Sequence, residues 1–485
     1  MKEFGNQAKP SGFVSLIPFI VLITALVLVI KVFGTDALSG ASQVALMFSA
    51  GVVVALSMIL YKIPWQVFED SILDNFNAVG TSIVILLLIG AVSGSWMISG
   101  VVPTMIYYGM KVIFPDIFLF ASCLICALIA VMTGSSWTTI ATVGVALVGI
   151  GTAQGYEPGW IAGAIISGSY FGDKVSPLSD TTVLASSSAG TPLFEHIKFM
   201  MVTTVPSFVI TLIIFLVVSL THNHTSAAQA ADFSHDLKTT FNITPWLFLV
   251  PVATALLIAK KVSAVVTLFI ASLVAGIAAL FFQPYIISEV ANGVSGVSEL
   301  SFLDGFKGLF MTYYGPTAIE SGNADLNNLI STRGMTGMLS TVYLIIAAGM
   351  FGGTLVGSGM LQTLTDLLTR FIKRRVSMVA STVGTGVVAN MVTGDQYLSI
   401  ILTSSLYKKL YHERGYENKL LSRSVEDSAT VVSVLVPWNS CGMTQATVLK
   451  VATLEYLPYC FFNLLSPFMS IFIAAIGYKI VRKSK

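Results

Sequence analysis

The stretch GSYFGDKVSPLSDTTVLASSS, residues 168–188, decides how this chain reads. Asp173, Lys174 and Asp180 stand in it between apolar flanks, and Gly172 and Pro177 bracket the site and argue for unwound backbone at both. A charge at membrane depth costs several kcal/mol unless it is paired, hydrated or liganded. Proline removes an N–H and frees a carbonyl, so it marks an unwound segment. Such breaks are tolerated inside a bilayer only where backbone lines a cavity or is buried in protein. Freed carbonyls, the Asp oxygens and the hydroxyls of Ser176, Ser179, Thr181 and Thr182 make a hard-oxygen environment. Hard oxygens suit a small alkali cation. The alternative is a loop in which these groups are solvated, or in which Asp173 and Lys174 pair locally.

Composition fixes the setting. Of 485 residues, 55% are hydrophobic and 10% charged, against about 25% charged in an ordinary soluble domain. Mean hydropathy is +0.83. A globule of this size cannot cover itself with so few charges, so the surplus apolar surface must face lipid. A soluble enzyme, a nucleic-acid binder and a disordered tail are excluded. The net charge of +2 gives no polyelectrolyte effect. No cofactor is expected. Cys123 and Cys126 form a CxxC within an apolar run and read as small helix-buried residues, because a zinc site needs about four ligands. His222, His224 and His235 share one polar loop and read as solvated.

Apolar runs long enough to cross a bilayer fall at 13–33, 42–61, 79–98, 116–132, 197–220, 262–283, 336–358, 376–391 and 455–478, with a shorter one at 245–259. The first has no small-residue cleavage site after it and reads as a retained span. Regions 133–190 and 393–453 are apolar but interrupted, and 101–113 and 361–373 read as amphipathic connectors. Counting each interrupted region as two crossings gives 12–14 crossings. The basic runs at Lys260-Lys261, Arg370 to Arg375, Lys408 to Arg423 and Lys479 to Lys485 are expected in the cytoplasm. Loops 221–244 and 284–335 are then outside, and both termini are cytoplasmic.

The chain also repeats itself. Thr133-Gly134, Gly155-Tyr156-Glu157 and Pro177 recur as Thr393-Gly394, Gly415-Tyr416-Glu417 and Pro437, each at an offset of 260. This predicts a first repeat over 1–225, an external linker over 226–244 and a second repeat over 245–485. An odd number of crossings per repeat inverts the second one. Inverted repeats with interrupted helices are a recurring design of secondary transporters. The expected fold class is an all-α polytopic membrane protein with interrupted helices or re-entrant hairpins.

In the second half the corresponding stretch is SRSVEDSATVVSVLVPWNSCGMTQAT, residues 422–447. Glu426 and Asp427 lead an apolar run that ends at Pro437 and Asn439. In the ungapped frame Asn439 falls on Ser179, whereas Asp427 falls on Ser167, so the carboxylates are not symmetry mates. Arg423 pairing with Glu426 or Asp427 is the plain account of that cluster. Asp395, in VVANMVTGDQYLSIILTSS, follows Gly394 and falls on Ser135. It reads as a midplane hairpin tip, or alternatively as a simple helix cap. Sodium is expected at Asp173, Asp180, Asp395 and Asp427. Desolvation favours the protonated form of a carboxyl and a bound cation the charged form, so one buried site can exchange a proton for a sodium ion.

GSYFGDKVSPLSDTT, TGSSWTTIATVGVALVGIG and SRSVEDSATVVSVLVPWNSCG resemble the NhaC family of bacterial sodium/proton antiporters, which also contains malate–lactate antiporters coupled to sodium and protons. The resemblance covers nearly the whole chain. It implies inverted repeats, elevator-like motion of a transport bundle against a scaffold, the bacterial cytoplasmic membrane, and often a homodimer. It also implies functional roles for Asp173, Lys174, Ser176, Asp180, Thr181, Asp395, Glu426, Asp427 and Asn439. The implied partners are Na+ and H+, with malate, lactate or another small organic anion as the alternative cargo. A cation channel fits two dissimilar halves less well than a carrier does, and no nucleophile–His pair supports an enzyme.

Overall fold

The computed structural model describes residues 10–33, 40–221, 227–260, 262–293, 300–369, 372 and 374–480. His222, His224, Lys261, Arg370 and Lys373 lie outside them. Among the described residues the protein is helical throughout, apart from one antiparallel bridge between Thr317 and Thr332. Lipid supplies no hydrogen bonds, so a spanning segment must satisfy its own backbone, and helices do so. The outermost helices show this on their surfaces. Ile20, Val27 and Val32 of Gly12–Phe33 are exposed, as are Phe269, Ile277 and Phe281 of Ala264–Phe282.

Among the described residues, eight helices are long and apolar enough to cross a membrane, or up to eleven if each strongly bent pair counts as one span. Within the two interrupted regions only Ser136–Ala153 passes on length and apolarity. The sequence count of 12–14 is higher because it assigns two crossings to each of these regions. The expected connectors at 101–113 and 361–373 are the helices Val101–Val112 and Met360–Thr369. The expected linker at 226–244 contains the helix Ala227–Thr240, with Phe233 and Leu237 buried and His235 exposed.

Two packed groups frame the site. In one, the long helix Trp65–Ile98 is flanked by Ala264–Phe282 and Leu339–Gly357. In the other, Phe118–Thr133 lies along Pro158–Val175. Gly172 belongs to this second contact. A Cβ there would meet the Ala127 carbonyl oxygen, with Val131 N at 2.7 Å. Gly172 is therefore helical and serves close packing. It is not a helix break, as the sequence reading expects, and the break begins only at Ser176.

Local features recur at the offset of 260. Gly134 (φ 67) and Gly394 (φ 63) both end a helix in the left-handed region, where glycine carries no steric penalty. The Thr133 and Thr393 hydroxyls each face the hydroxyl six residues on, Thr139 at 3.2 Å and Ser399 at 3.0 Å. Ser135 and Asp395 each cap the next helix, and so do Ser179 and Asn439. Gly190 and Lys450 each end the short helix that follows, both with positive φ.

Candidate functional site

The first break is built so that its two sides satisfy each other. Pro158–Val175 stops at Ser176, whose N–H still bonds the Asp173 carbonyl at 3.1 Å. Ser176 Oγ donates to the Val131 carbonyl at 2.8 Å. Ser179 accepts from Thr182 N and starts the helix Asp180–Ala189. Thr182 Oγ1 donates back to the Lys174 carbonyl at 3.0 Å. Backbone groups at a helix end need partners, and here serine and threonine hydroxyls provide them.

Asp173 is 5% exposed. Ser136, in the first turn of the helix after Gly134, donates to its Oδ2 from both N (3.2 Å) and Oγ (2.7 Å). Asp173 lines a cavity of about 250 Å³. Thr133, Ser135, Ser136, Thr138, Asp180 and Thr181 supply its polar wall, and Gln396 adds to it from the second half. Trp137 and Tyr397, which are 260 residues apart, both face it. Ile85, Ile258 and Thr267 close it from the Trp65–Ile98 side. None of its described lining residues is Lys, Arg or His.

Asp395 is 1% exposed and caps the helix Gln396–Glu413. Leu398 N donates to its Oδ1 at 3.0 Å, and Ser440 Oγ to its Oδ2 at 3.2 Å. Ser440 N also bonds the Gly394 carbonyl at 2.7 Å, which ties the two second-half breaks together. Asn439 caps Ser440–Leu449 and reaches Asn390. Gln396 Nε2 donates to the Thr430 carbonyl at 2.8 Å, and Asn463 Nδ2 to the Val431 carbonyl at 2.8 Å. These bonds satisfy backbone carbonyls freed where the π-helical turn Glu426–Thr430, which continues the helix Asn418–Val425, comes to its end.

Asp427 is not on the cavity wall. It is fully buried and ion-paired with Lys174, and it also accepts from Thr203 Oγ1 (3.1 Å) and Ser466 Oγ (3.2 Å). Lys174 thus bonds across the two halves, not to its neighbour Asp173. Arg423 Nε lies 4.0 Å from Asp427 Oδ2. Glu426 is fully buried, and neither of its oxygens has a hydrogen-bond partner. Burying a charged pair costs desolvation that only good geometry offsets.

A family model described as the Na+/H+ antiporter family matches residues 8–190 and 168–478. The chain belongs to that family. It is 34% identical to the Na(+)/H(+) antiporter NhaC of Bacillus subtilis over 433 residues, 89% of this chain and 91% of that protein. It is 33% identical to the Malate-2H(+)/Na(+)-lactate antiporter of the same organism, over 84% of this chain and 83% of that one. It is 30% identical to the arginine/ornithine antiporter ArcD of Halobacterium salinarum, over 99% and 95%.

In this antiporter-family chain the expected site residues fall into four places. Asp173, Asp180 and Thr181 meet at the cavity. Asp395 and Asn439 belong to the linked breaks of the second half. Lys174, Glu426 and Asp427 form the buried charge cluster. Ser176 and Ser179 hold the first break in shape. Pro177, Gly394 and Pro437 lie at breaks. No three His, Cys, Asp or Glu converge on one point among the described residues, and of the four Asp at which sodium is expected, Asp173 and Asp180 line the cavity while Asp427 lies in the charge cluster.

Sequence reasoning missed Ser136, Ser440, Thr203 and Ser466. Ser440 was within reach, because it falls on Asp180 at the repeat offset. Thr203 and Ser466 carry no local signal. They are small polar residues within the apolar helices Leu193–Thr221 and Phe461–Ile476, where a hydroxyl commonly bonds its own helix.

Proposed function

We propose that the protein exchanges Na+ for H+ across the bacterial cytoplasmic membrane, with both termini in the cytoplasm. The observation that carries this reading is the cavity wall, which combines two carboxylates with several hydroxyls and shows no basic side chain among its described residues. Both bonds from Ser136 fall on Asp173 Oδ2, and the Ser179 hydroxyl stands beside the same carboxyl. Asp180 is exposed at the start of its helix and accepts no side-chain bond. A carboxylate walled off from bulk water needs a proton or a cation. The two compete for the same oxygens, and exchange follows if the empty charged form rarely changes sides. The functions named for the relatives are consistent with it.

The reading includes two inverted repeats and an elevator-like movement of the broken-helix bundle against the Trp65–Ile98 group. Its support is the pattern of helix ends. Gly190 lies against Lys408, in a run assigned to the cytoplasm, whereas Lys450 donates to carbonyls of Leu329 and Ser331, in a loop assigned outside. A second reading, exchange of a small organic acid, draws on the named activity of one relative and on the three helix starts at the cavity, at Ser136, Asp180 and Gln396. Helix starts favour anions, but two carboxylates on the same wall oppose one. Proteoliposome flux decides. Sodium-driven proton movement without any organic acid is expected, and a strict requirement for malate or lactate overturns the proposal.

A further inference from the structure

Asp427 stands between two buried cations and is bonded to one of them. Its Oδ1 takes Lys174, Thr203 and Ser466. Its Oδ2 has no hydrogen bond, and Arg423 Nε is 4.0 Å from it. Arg423 is itself fully buried, and none of its three side-chain nitrogens makes a hydrogen bond. Its guanidinium lies 4.7 Å from the centre of the Phe199 ring. Such a contact returns less than a buried charge left without hydrogen bonds costs. Arg423 is therefore held within a short movement of a better partner.

The backbone here can supply that movement. Asp427 sits on the π-helical turn Glu426–Thr430, and such turns are rare and concentrate at functional sites. Tightening one to α-helical spacing rotates the side chains it carries by part of a turn. The charged and titratable groups acting on this cluster are Asp173 and Lys174 from one helix, Arg423 and Glu426 from Asp427's own, His196 from Leu193–Thr221 and Tyr411 from Gln396–Glu413. Phe461–Ile476 contributes the Ser466 hydroxyl.

We infer that Asp427 has two alternative cation partners, Lys174 in the arrangement described and Arg423 in a second, and that Arg423 is thereby a positioning residue of the exchange. The inference rests on the cation-exchange reading. A cation bound at Asp173 repels the neighbouring Lys174 ammonium toward Asp427. When the cation leaves, the bare Asp173 carboxylate draws Lys174 away, and Arg423 takes Asp427. Neither Asp173 nor Asp427 is then left without a cation at either stage, which keeps the barrier between stages low.

The test uses the full chain in proteoliposomes, with sodium-driven proton flux followed over a pH series. R423Q is expected to cut flux about tenfold and to move the pH of half-maximal flux by about one unit, the equivalent of one tenfold change in proton affinity. R423K keeps the charge and is expected to hold flux within about threefold of wild type, again with a moved midpoint, because an ammonium does not reproduce the guanidinium fork. In detergent, sodium is expected to raise the melting temperature of R423Q, which would show the cation site intact. The pH dependence of that rise should be the same in D427N and in D427N/R423Q. A wild-type pH profile in R423Q overturns the inference, and so does an effect of R423Q that persists in the D427N background. If R423Q yields no folded protein, a wild-type midpoint in R423K overturns it equally. Wild-type vesicles without sodium-driven flux would instead overturn the exchange reading.

Discussion

Ser440 Oγ donates to Asp395 Oδ2 at 3.2 Å, and each residue falls on the chemical opposite of its partner in the other half. Asp395 stands where Ser135 stands, and Ser440 where Asp180 stands, at the shared offset of 260. Ser135 and Asp180 both line the cavity. One carboxylate and one hydroxyl thus occur at the paired breaks of each half, with their positions exchanged. In the second half the carboxylate lies on the tip that follows the glycine. In the first it lies after the proline break, where it stays exposed.

Asp395 caps a helix as well as carrying a charge, and two variants separate these roles. D395N keeps an oxygen for Leu398 N and is expected to melt near the wild-type temperature while losing exchange activity. D395A loses the cap as well, at about 0.5–2 kcal/mol, and is expected to melt lower. Detergent melting curves and vesicle flux on the same preparations check both.

Asp173 should be indispensable for transport but not for folding. In D173N the amide oxygen still accepts from Ser136, so the local structure has its bonds. The charge that would meet a cation is lost. A charge-assisted contact is worth about 1.5–3 kcal/mol, or about 10- to 100-fold at 1.4 kcal/mol per decade. Sodium-driven flux should fall by at least that factor. Retained sodium-dependent exchange in D173N would remove this residue from the mechanism.

Lys174 and Asp427 should depend on each other. Removing one partner of a buried pair costs about 3–5 kcal/mol, because the other charge is left bare. D427N leaves the Lys174 ammonium bare and is expected to lower the melting temperature sharply, whereas K174Q leaves Asp427 to Arg423 and is expected to lower it less. The double variant K174Q/D427N is expected to be less damaged than the sum of the two. Additive losses would mean the pair contributes nothing as a pair.

Gly172 tests the corrected reading of the first break. A methyl group there would push against the Ala127 carbonyl and part Phe118–Thr133 from Pro158–Val175. G172A is expected to cost about 1–3 kcal/mol by overpacking, seen as a lower melting temperature and reduced folded yield. A neutral G172A would instead support an unwound backbone at this position.

Much of the architecture was legible in the chain because lipid leaves few options. A run of apolar residues with no water to bond must become a helix, and a proline or glycine beside a buried carboxylate must mark a break. The breaks at Pro177, Gly394 and Pro437 follow from this local logic. Gly172 did not, since a helical glycine at a close crossing and a glycine at a break look the same in one dimension.

Composition, apolar run length and the recurrence at 260 by themselves determined a polytopic helical membrane protein with interrupted helices and buried acids, because each is a property of consecutive residues and the solvent they meet. Only the tertiary structure decided which acids act together. It placed Asp173 beside Ser136 and sent Lys174 across to Asp427, 253 residues away. Those pairings depend on where helix tips end up in space. An electrostatic contact depends on distance through space, and sequence separation says nothing about that distance.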